Sequence, residues 1–132
     1  MIERTMMLAG AFFLLALLLA ALKRNQLKSS QSMATATITN AKPNIVYFWS
    51  PQCSQCIAIQ TPIIDTLAAI AGEDTLTVSK HDVSKSLEHA NNWGVKTVPT
   101  IFVLDKNGTV RYVNNGLATK KILMGQLEEL SD

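Results

Sequence analysis

Cysteine is scarce in this chain: only 2 of its 132 residues are cysteines. They are Cys53 and Cys56, in the stretch "FWSPQCSQC". Three interpretations are open for such a pair: a redox centre, half of a metal site, or two ordinary thiols. A zinc site needs about four ligands, and the two histidines, His81 and His89, lack a matching paired spacing. A metal centre within one chain is therefore not expected.

A basic surface interleaved with aromatic residues is also lacking, and the sequence contains no internal repeat. The formal net charge of the whole chain is +2, to which residues 1–42 contribute +4 and residues 43–132 contribute −2. Positive side chains beside an apolar segment are favourably placed near lipid head groups. The folded part carries no such excess, so nucleic acid is not expected to be a partner.

Charged side chains are absent from residues 5–22, "TMMLAGAFFLLALLLAAL". An α-helix of this length spans roughly 27 Å, close to the thickness of the hydrocarbon layer of a membrane. Its apolar residues cover every face of the helix, unlike the one-sided pattern of a core helix. The sequence therefore predicts a membrane anchor helix within residues 1–22, in contact with lipid.

A cleaved signal peptide is the main alternative for this segment. Lys23 and Arg24 follow the apolar run, at the place where small residues would mark a cleavage site. The nearest small-residue motif, Ala34-Thr35-Ala36, lies well beyond the end of the run. We therefore expect an uncleaved, single-pass anchor.

Residues 23–42, "KRNQLKSSQSMATATITNAK", are polar and short of large apolar side chains. This composition predicts a juxtamembrane linker. A weak strand is expected at residues 35–39, where threonine and isoleucine favour an extended chain. The folded domain is expected to comprise residues 43–132.

Within this domain the pattern predicts the order β-α-β-α-β-β-α, which is an α/β fold with a central mixed four-stranded sheet flanked by helices. Strands are expected at Asn44–Trp49, 75–81, Thr100–Leu104 and 109–113, and helices at 54–71, at 84–92 and after Thr119. Inward-facing side chains are expected at Ile57, Ile63, Ile64, Leu67, Ala71, Leu87, Ala90, Ile122, Leu123 and Leu127. The first two strands should be parallel and joined by a right-handed helical crossover.

The two cysteines follow the first strand, at the edge where sites form in open α/β sheets. Residues i and i+3 share a helix face, so Cys53 and Cys56 can close a small disulfide ring. Cys53 comes at the start of the helix, where unpaired amide groups and the helix dipole favour the thiolate. Cysteines so placed have pKa values of about 3.5 to 7.5, against about 8.5 for a free thiol. The pattern predicts that Cys53 attacks and that the more shielded Cys56 resolves.

The segments "YFWSPQCSQC", "LTVSKHDVS", "WGVKTVPTIFVLDKNG" and "NGLATKKILMGQLEEL" resemble successive landmarks of the thioredoxin family, over nearly the whole predicted domain. The resemblance implies a thioredoxin-like fold and a redox pair at Cys53 and Cys56. It also implies that Pro99 is cis and faces the disulfide and that the backbone of Val98 pairs with substrate. Trp49 is expected in the core first, and also as a shield of the disulfide that contributes to substrate binding.

The chain departs from the usual thioredoxin pattern at several positions. Gln52 stands where the family has a tryptophan, and Ser54-Gln55 where it has Gly-Pro. The buried aspartate of the family, which assists deprotonation of the inner cysteine, is replaced by Tyr47, and a phenol with a pKa of about 10 is no base near neutral pH. Lys80 matches the lysine that partners this aspartate, and we expect electrostatic support from it.

Together these features predict a membrane-tethered thiol–disulfide oxidoreductase that acts on protein disulfides or dithiols. A reductant or oxidant that the sequence does not identify is its second partner. No further cofactor is expected, because the cysteine pair itself carries the electrons. One alternative is a non-catalytic adaptor that holds a membrane partner in its thioredoxin groove. Another is an extracytoplasmic disulfide oxidase or isomerase.

The side of the membrane is predicted from the charges that flank the apolar run. Lys23, Arg24 and Lys28 follow it, whereas Arg4 alone precedes it. The positive-inside bias counts such residues and keeps the more positive flank in the cytoplasm. We therefore expect the redox domain to face the cytoplasm from the cell membrane and to act mainly as a reductase.

Overall fold

The computed structural model describes residues 1–37 and 42–131. Its strands are β1 (Asn44–Trp49), β2 (Thr77–Asp82), β3 (Thr100–Leu104) and β4 (Val110–Asn115). Its helices are α1 (Ile2–Thr37), α2 (Thr61–Ala71), α3 (Leu87–Asn92) and α4 (Lys120–Leu130), and a π-helical segment, Cys56–Gln60, leads directly into α2. Beyond the apolar N-terminal segment, this order confirms the predicted β-α-β-α-β-β-α alternation.

The four strands form one mixed sheet in the order β2-β1-β3-β4. β1 is parallel to β2 and antiparallel to β3, and β3 is antiparallel to β4. The residues of β1 from Asn44 to Phe48 are all buried, as a continuous apolar run predicts for a strand covered on both faces. The predicted thioredoxin-like sheet is therefore confirmed.

Alternate residues of β1 belong to two hydrophobic clusters on opposite faces of the sheet, because strand side chains point to the two faces in turn. The larger side chains of one cluster are Phe48, Trp93, Phe102 and Leu104. Those of the other are Ile45, Tyr47, Ile64, Ile101 and Leu123. The carboxyl end of β1, from which the cysteine-bearing turn departs, is thus held from both sides.

The prediction of a core position is wrong for three side chains. Ile57 is 52% exposed, Leu87 is 66% exposed and Ile122 is 48% exposed. Ile57 lies in the π-helical segment, whose wider turn breaks the 3.6-residue periodicity on which the expectation rested. Leu87 and Ile122 lie in the first turns of α3 and α4, and the buried residues of these two helices are Ala90 and Leu123.

Two helices begin where side chains cap them. The Ser86 hydroxyl accepts a hydrogen bond from the backbone N–H of His89 at 3.3 Å, so α3 begins at Leu87 rather than at residue 84. Ser84 is instead held in a turn by the carboxylate of Asp82. The predicted cap of α4 is present, since the Thr119 hydroxyl accepts from the N–H of Ile122 at 3.3 Å.

α1 continues well beyond the apolar run. Its segment Ile2–Lys28 is long and apolar enough to cross a membrane, with a mean hydropathy of 2.4 over its most apolar window, and none of that window is buried. Residues 23–37, predicted as part of a linker, continue the same helix. The strand expected at residues 35–39 is therefore wrong for residues 35–37, while residues 38 and 39 lie outside the described part of the chain.

The part of α1 that follows the apolar run contacts the sheet domain. The side-chain amide of Gln26 donates hydrogen bonds to the carbonyl oxygen of Gly94 at 3.1 Å and to the side-chain oxygen of Asn115 at 3.0 Å. The amide of Asn115 donates in return to Gln26 at 3.2 Å. Leu27 packs against the cluster that contains Phe48. Gln26 and Leu27 thus attach α1 to one side of the sheet domain.

Candidate active site

The two cysteines lie in a turn and a helix that follow β1 without a break. The backbone N–H of Cys53 donates to the carbonyl of Ser50 at 3.0 Å, and the Cys53 carbonyl accepts from the N–H of Ile57 at 3.2 Å. Cys53 therefore immediately precedes the first helical turn. Cys53 and Cys56 form a disulfide with their Cα atoms 5.2 Å apart, as the i, i+3 spacing predicts.

The environments of the two sulfurs differ. Cys56 is 0% exposed, whereas Cys53 is partly exposed. The backbone N–H of Cys56 points to the Cys53 sulfur at 3.2 Å. A hydrogen-bond donor in this position stabilises a thiolate at Cys53 when the pair is reduced. Only Cys53 is therefore both accessible to a substrate and supported as an anion.

The loop before β3 lies against the exposed sulfur. The Val98–Pro99 peptide bond is cis, as the family resemblance implies. The carbonyl oxygen of Val98 lies 3.8 Å from the Cys53 sulfur. Pro99 is buried and Val98 is partly exposed, so the backbone of this loop and the accessible cysteine form one continuous surface.

Trp49 ends β1 and is partly buried. Its side chain packs against the cluster that contains Ile64 and Leu123. Its carbonyl oxygen accepts a hydrogen bond from the N–H of Val83 at 2.9 Å. The structure therefore places Trp49 beside the turn that carries the cysteines, with its backbone tied to the chain after β2.

Tyr47 stands where the family pattern has a buried aspartate, and it supports the helix that carries Cys56. Its hydroxyl donates to the backbone carbonyl of Cys56 at 3.3 Å and lies 3.1 Å from the Thr61 hydroxyl. Burial raises the pKa of Tyr47, a hydrogen bond with Thr61 opposes this shift, and the negative charge of Asp65 adds to it. Tyr47 is therefore a neutral hydrogen-bond donor at physiological pH.

Lys80 forms an ion pair with Asp65 of α2. The two side chains are 39% and 56% exposed, so solvent screens their attraction. Lys80 is the register partner of Tyr47 across β1 and β2. The structure thus supplies Lys80 with a carboxylate, but from a neighbouring helix rather than from β1.

Sequence reasoning missed three polar residues in the helical segment that follows Cys56. Besides Thr61 and Asp65, it missed Gln60, whose fully buried side-chain amide exchanges two hydrogen bonds with the backbone of Ala118, at 3.1 and 2.8 Å. This pair joins the π-helical segment to the turn before α4. A glutamine beside apolar positions was the only sequence signal, and it does not identify the partner.

Pro62 explains why the helix changes its geometry at this point. The N–H of Thr61 bonds to the carbonyl of Cys56, five residues earlier, and Pro62 lies in the first turn of α2. A proline there has no N–H to leave unsatisfied. The helix therefore accommodates Pro62 by changing from π-helical to α-helical geometry, one turn after Cys56.

The two histidines lie on the other side of β1. The ring of Phe48 stacks on His81 with a centroid distance of 5.1 Å, and His81 and His89 are 4.8 Å apart. Burial lowers the pKa of His81, and the neighbouring His89 lowers it further. In residues 1–37 and 42–131, no three His, Cys, Asp or Glu side chains are grouped in a way that could hold a metal ion.

Comparison with known sequences identifies related proteins. The Thioredoxin family model matches residues 26–129. The thioredoxin of Mycobacterium tuberculosis is 34% identical over 101 residues, which make up 76% of this chain and 82% of that protein. The thioredoxin of Bacillus subtilis is 37% identical over 76 residues, covering 58% of this chain and 70% of that protein.

Two solved structures show the same similarity in three dimensions. One, described as a malarial protein, has a TM-score of 0.62 at 25% identity and covers 67% of this chain and 97% of that one. The other is thioredoxin-2, described as a component of the malaria parasite protein secretion machinery. It has the same TM-score of 0.62 and identity of 25%, and covers 67% of this chain and 82% of that one.

Proposed function

The chain belongs to the thioredoxin family and is a thiol–disulfide oxidoreductase; we propose that it works as a membrane-anchored reductase in which Cys53 attacks and Cys56 resolves. The family acts on protein disulfides and needs no cofactor beyond its cysteine pair. The observation that carries the assignment of roles is the unequal exposure of the two sulfurs, since Cys56 is 0% exposed.

The proposed reaction moves two electrons from the cysteine pair to the substrate. The Cys53 thiolate attacks one sulfur of a substrate disulfide, and the other substrate sulfur leaves as a thiolate and takes up a proton. The Cys56 thiol then loses its proton and attacks the Cys53 sulfur, which releases the second substrate thiol. The Cys53–Cys56 disulfide remains, and an external dithiol reductant must reduce it before the next cycle.

We further propose that Val98, Pro99 and Trp49 form the surface that receives the substrate. The Val98 carbonyl lies 3.8 Å from the attacking sulfur, so an extended substrate backbone can pair with this loop while its disulfide meets Cys53. Trp49 would border the same surface at the end of β1. Lys80 would support the site indirectly, through its ion pair with Asp65 beside Tyr47.

The membrane anchor and its orientation are also proposals. The segment Ile2–Lys28 could be a membrane span or a signal sequence by its length and composition. Its continuity with the part of α1 that contacts Gly94 and Asn115 supports retention, because cleavage would remove or shorten a helix that the fold uses. The charges after the apolar run support a domain that faces the cytoplasm, where it would act as a reductase in redox homeostasis.

The test of the assigned roles is to trap the mixed disulfide. Reduced Cys56→Ser protein mixed with a disulfide-bonded peptide should accumulate a covalent adduct through Cys53, whereas Cys53→Ser should not. In the reduced wild type, iodoacetamide should modify Cys53 before Cys56. Equal modification rates, or an adduct formed only through Cys56, would refute the roles. Full retention of biological function by Cys53→Ser would instead identify a non-catalytic adaptor.

A further inference from the structure

We propose that α1 holds the redox end of the domain against the membrane surface, so that the substrates are disulfides of membrane proteins close to the bilayer. The redox end is defined here as the end of the sheet, along the strand direction, at which Cys53, the Val98–Pro99 peptide and Asn115 lie. The proposal rests on the membrane anchor and the exchange reaction proposed above, and it adds the direction in which the active site points.

α1 contacts the domain close to the cis-proline loop. Gln26 bonds to the carbonyl of Gly94 and to the side chain of Asn115. Asn115 is the register partner of Thr100, and the next residue, Gly116, donates its N–H to the carbonyl of Pro99 at 2.8 Å. The anchor contact is therefore a neighbour of the cis-proline loop, one strand away, or roughly 5 Å in the hydrogen-bonding direction.

The direction of α1 depends on where the chain must go after it. After α1 the chain must enter β1 at Asn44, which lies at the opposite end of the strand from Cys53. Pro43 is fixed at that end, because its carbonyl accepts a hydrogen bond from the N–H of Thr77 at the start of β2. The helical rise from Gln26 to Thr37 is roughly 16 Å, which matches a six-residue strand at about 3.3 Å per residue.

An α1 that runs antiparallel to β1, from the redox end to the opposite end, joins these two fixed points. Its earlier residues then project beyond the redox end, where the domain cannot cover them. Consistently, none of the most apolar window of Ile2–Lys28 is buried. The uncharged run ends at Leu22, only about 6 Å of helix before Gln26. The redox end must therefore lie within about one helical turn of the hydrocarbon boundary.

Charge is distributed unequally between the two ends of the domain. The basic residues at the redox end are Lys23, Arg24, Lys85, Lys96, Lys120 and Lys121, and the acidic ones are Asp82 and Glu88. At the opposite end the acidic residues are Glu73, Asp74, Asp105, Glu128 and Glu129, and the basic ones are Lys42, Lys106 and Arg111. A positive redox end is attracted by anionic head groups.

A cleft between α1 and the domain strengthens this argument. It has a volume of about 630 Å³, and its lining includes Leu22, Lys23 and Lys96. The end of the apolar run and two positive side chains thus meet in one space. This is the combination expected where a helix leaves the hydrocarbon layer among head groups, and the cleft also reaches Asn115 at the redox end.

The test compares disulfides at two heights above a bilayer. The full chain is placed in bilayer discs of phosphatidylcholine and phosphatidylglycerol, together with a disulfide peptide tethered to a lipid by a short or a long spacer. The wild type should reduce the short-tethered peptide about tenfold faster than the long-tethered one, because the short tether raises its effective concentration at the site. A soluble form of the peptide reports the exchange reaction itself.

The matched variants carry a flexible Gly-Ser insertion at different places. An insertion between Arg24 and Asn25 separates the anchor from the docked part of α1, and should abolish the preference while the soluble peptide is still reduced. The same insertion after Glu3 should leave the preference intact. If the wild type reduces the soluble peptide without any preference for the short tether, or if the insertion at Arg24 leaves the preference unchanged, the proposed orientation is wrong.

A second measurement reads the orientation without catalysis. In a Cys53→Ser, Cys56→Ser chain, a fluorophore is attached through Gln52→Cys at the redox end or through Lys106→Cys at the opposite end, both of them exposed positions. Spin-labelled head groups should quench the first fluorophore more strongly. Equal or reversed quenching would overturn the orientation. Failure of the wild type to reduce even the soluble peptide would instead refute the exchange reaction. The quenching measurement would then still decide the orientation, because it does not depend on catalysis.

Discussion

The hydroxyl of Tyr47 lies 3.3 Å from the backbone carbonyl oxygen of Cys56, and so connects the central strand to the buried half of the disulfide. The same carbonyl accepts the N–H of Thr61. Tyr47 therefore supports the first turns of the active-site helix by its hydrogen bond and its bulk. It provides no proton acceptor for the Cys56 thiol, because burial raises the pKa of a group that is already a weak acid.

Replacing Tyr47 with aspartate is expected to accelerate release of the mixed disulfide near neutral pH. A carboxylate can accept the proton that Cys56 must lose, which would increase the release rate on the order of tenfold or more. The rate is measured by stopped-flow on a pre-formed adduct. Tyr47→Asn is the matched control, since it leaves a similar cavity without a base. If both variants are equally fast, or Tyr47→Asp is no faster than the wild type, the missing carboxylate does not limit release.

His81 should make the protein less stable as the pH falls. Its pKa is lowered in the folded state by burial first and by His89 second, so the unfolded chain binds its proton more strongly. This contribution to stability is fully present above the unfolded pKa of about 6.5, and is lost as the pH falls towards the folded pKa. Urea unfolding at about pH 7.5 and about pH 5 measures the loss.

The matched variants for this prediction are His81→Gln and His89→Gln. His81→Gln should lose less stability than the wild type between the two pH values, because the titrating group is gone. His89→Gln should reduce the loss in part, because it removes the second cause of the shift. If His81→Gln shows the same loss as the wild type, other groups account for the acid sensitivity.

Adjacent residues of α4 should differ in their contribution to stability. Leu123 is 0% exposed and Ile122 is 48% exposed. Leu123→Ala should lower the free energy of unfolding by about 2–5 kcal/mol, because it leaves a cavity beneath the sheet. Ile122→Ala should lower it by less than about 1 kcal/mol. Chemical denaturation distinguishes the two, and equal losses would mean that α4 is not packed as the structure has it.

The predicted cytoplasmic orientation is tested by adding protease outside intact spheroplasts. Residues 43–132 should stay protected, and should become sensitive once the membrane is permeabilised. Replacing Lys23, Arg24 and Lys28 with glutamine should weaken this orientation, because it removes the positive flank. Digestion of the wild-type domain in intact spheroplasts would place it outside the cytoplasm and favour an oxidase or isomerase.

The sequence by itself determined those features that depend on neighbours along the chain. The buried run Asn44–Trp49, the cysteines at the helix start and the cap at Thr119 are local patterns, and the structure contains each of them. The strand alternation and the family landmarks were enough for the topology of the sheet. Periodicity failed at Ile57, because a proline five residues later changes the helix geometry and a regular period cannot anticipate that.

The tertiary structure alone decided which distant residues meet. Tyr47 with the Cys56 carbonyl, Asp65 with Lys80, and Gln26 with Asn115 are contacts between elements, and each depends on how helices lie across the sheet. The polar stretch around Gln26 indicated a linker because its composition holds little apolar area. It is nevertheless helical and docked, because two amide side chains and Leu27 find partners that only the folded sheet brings together.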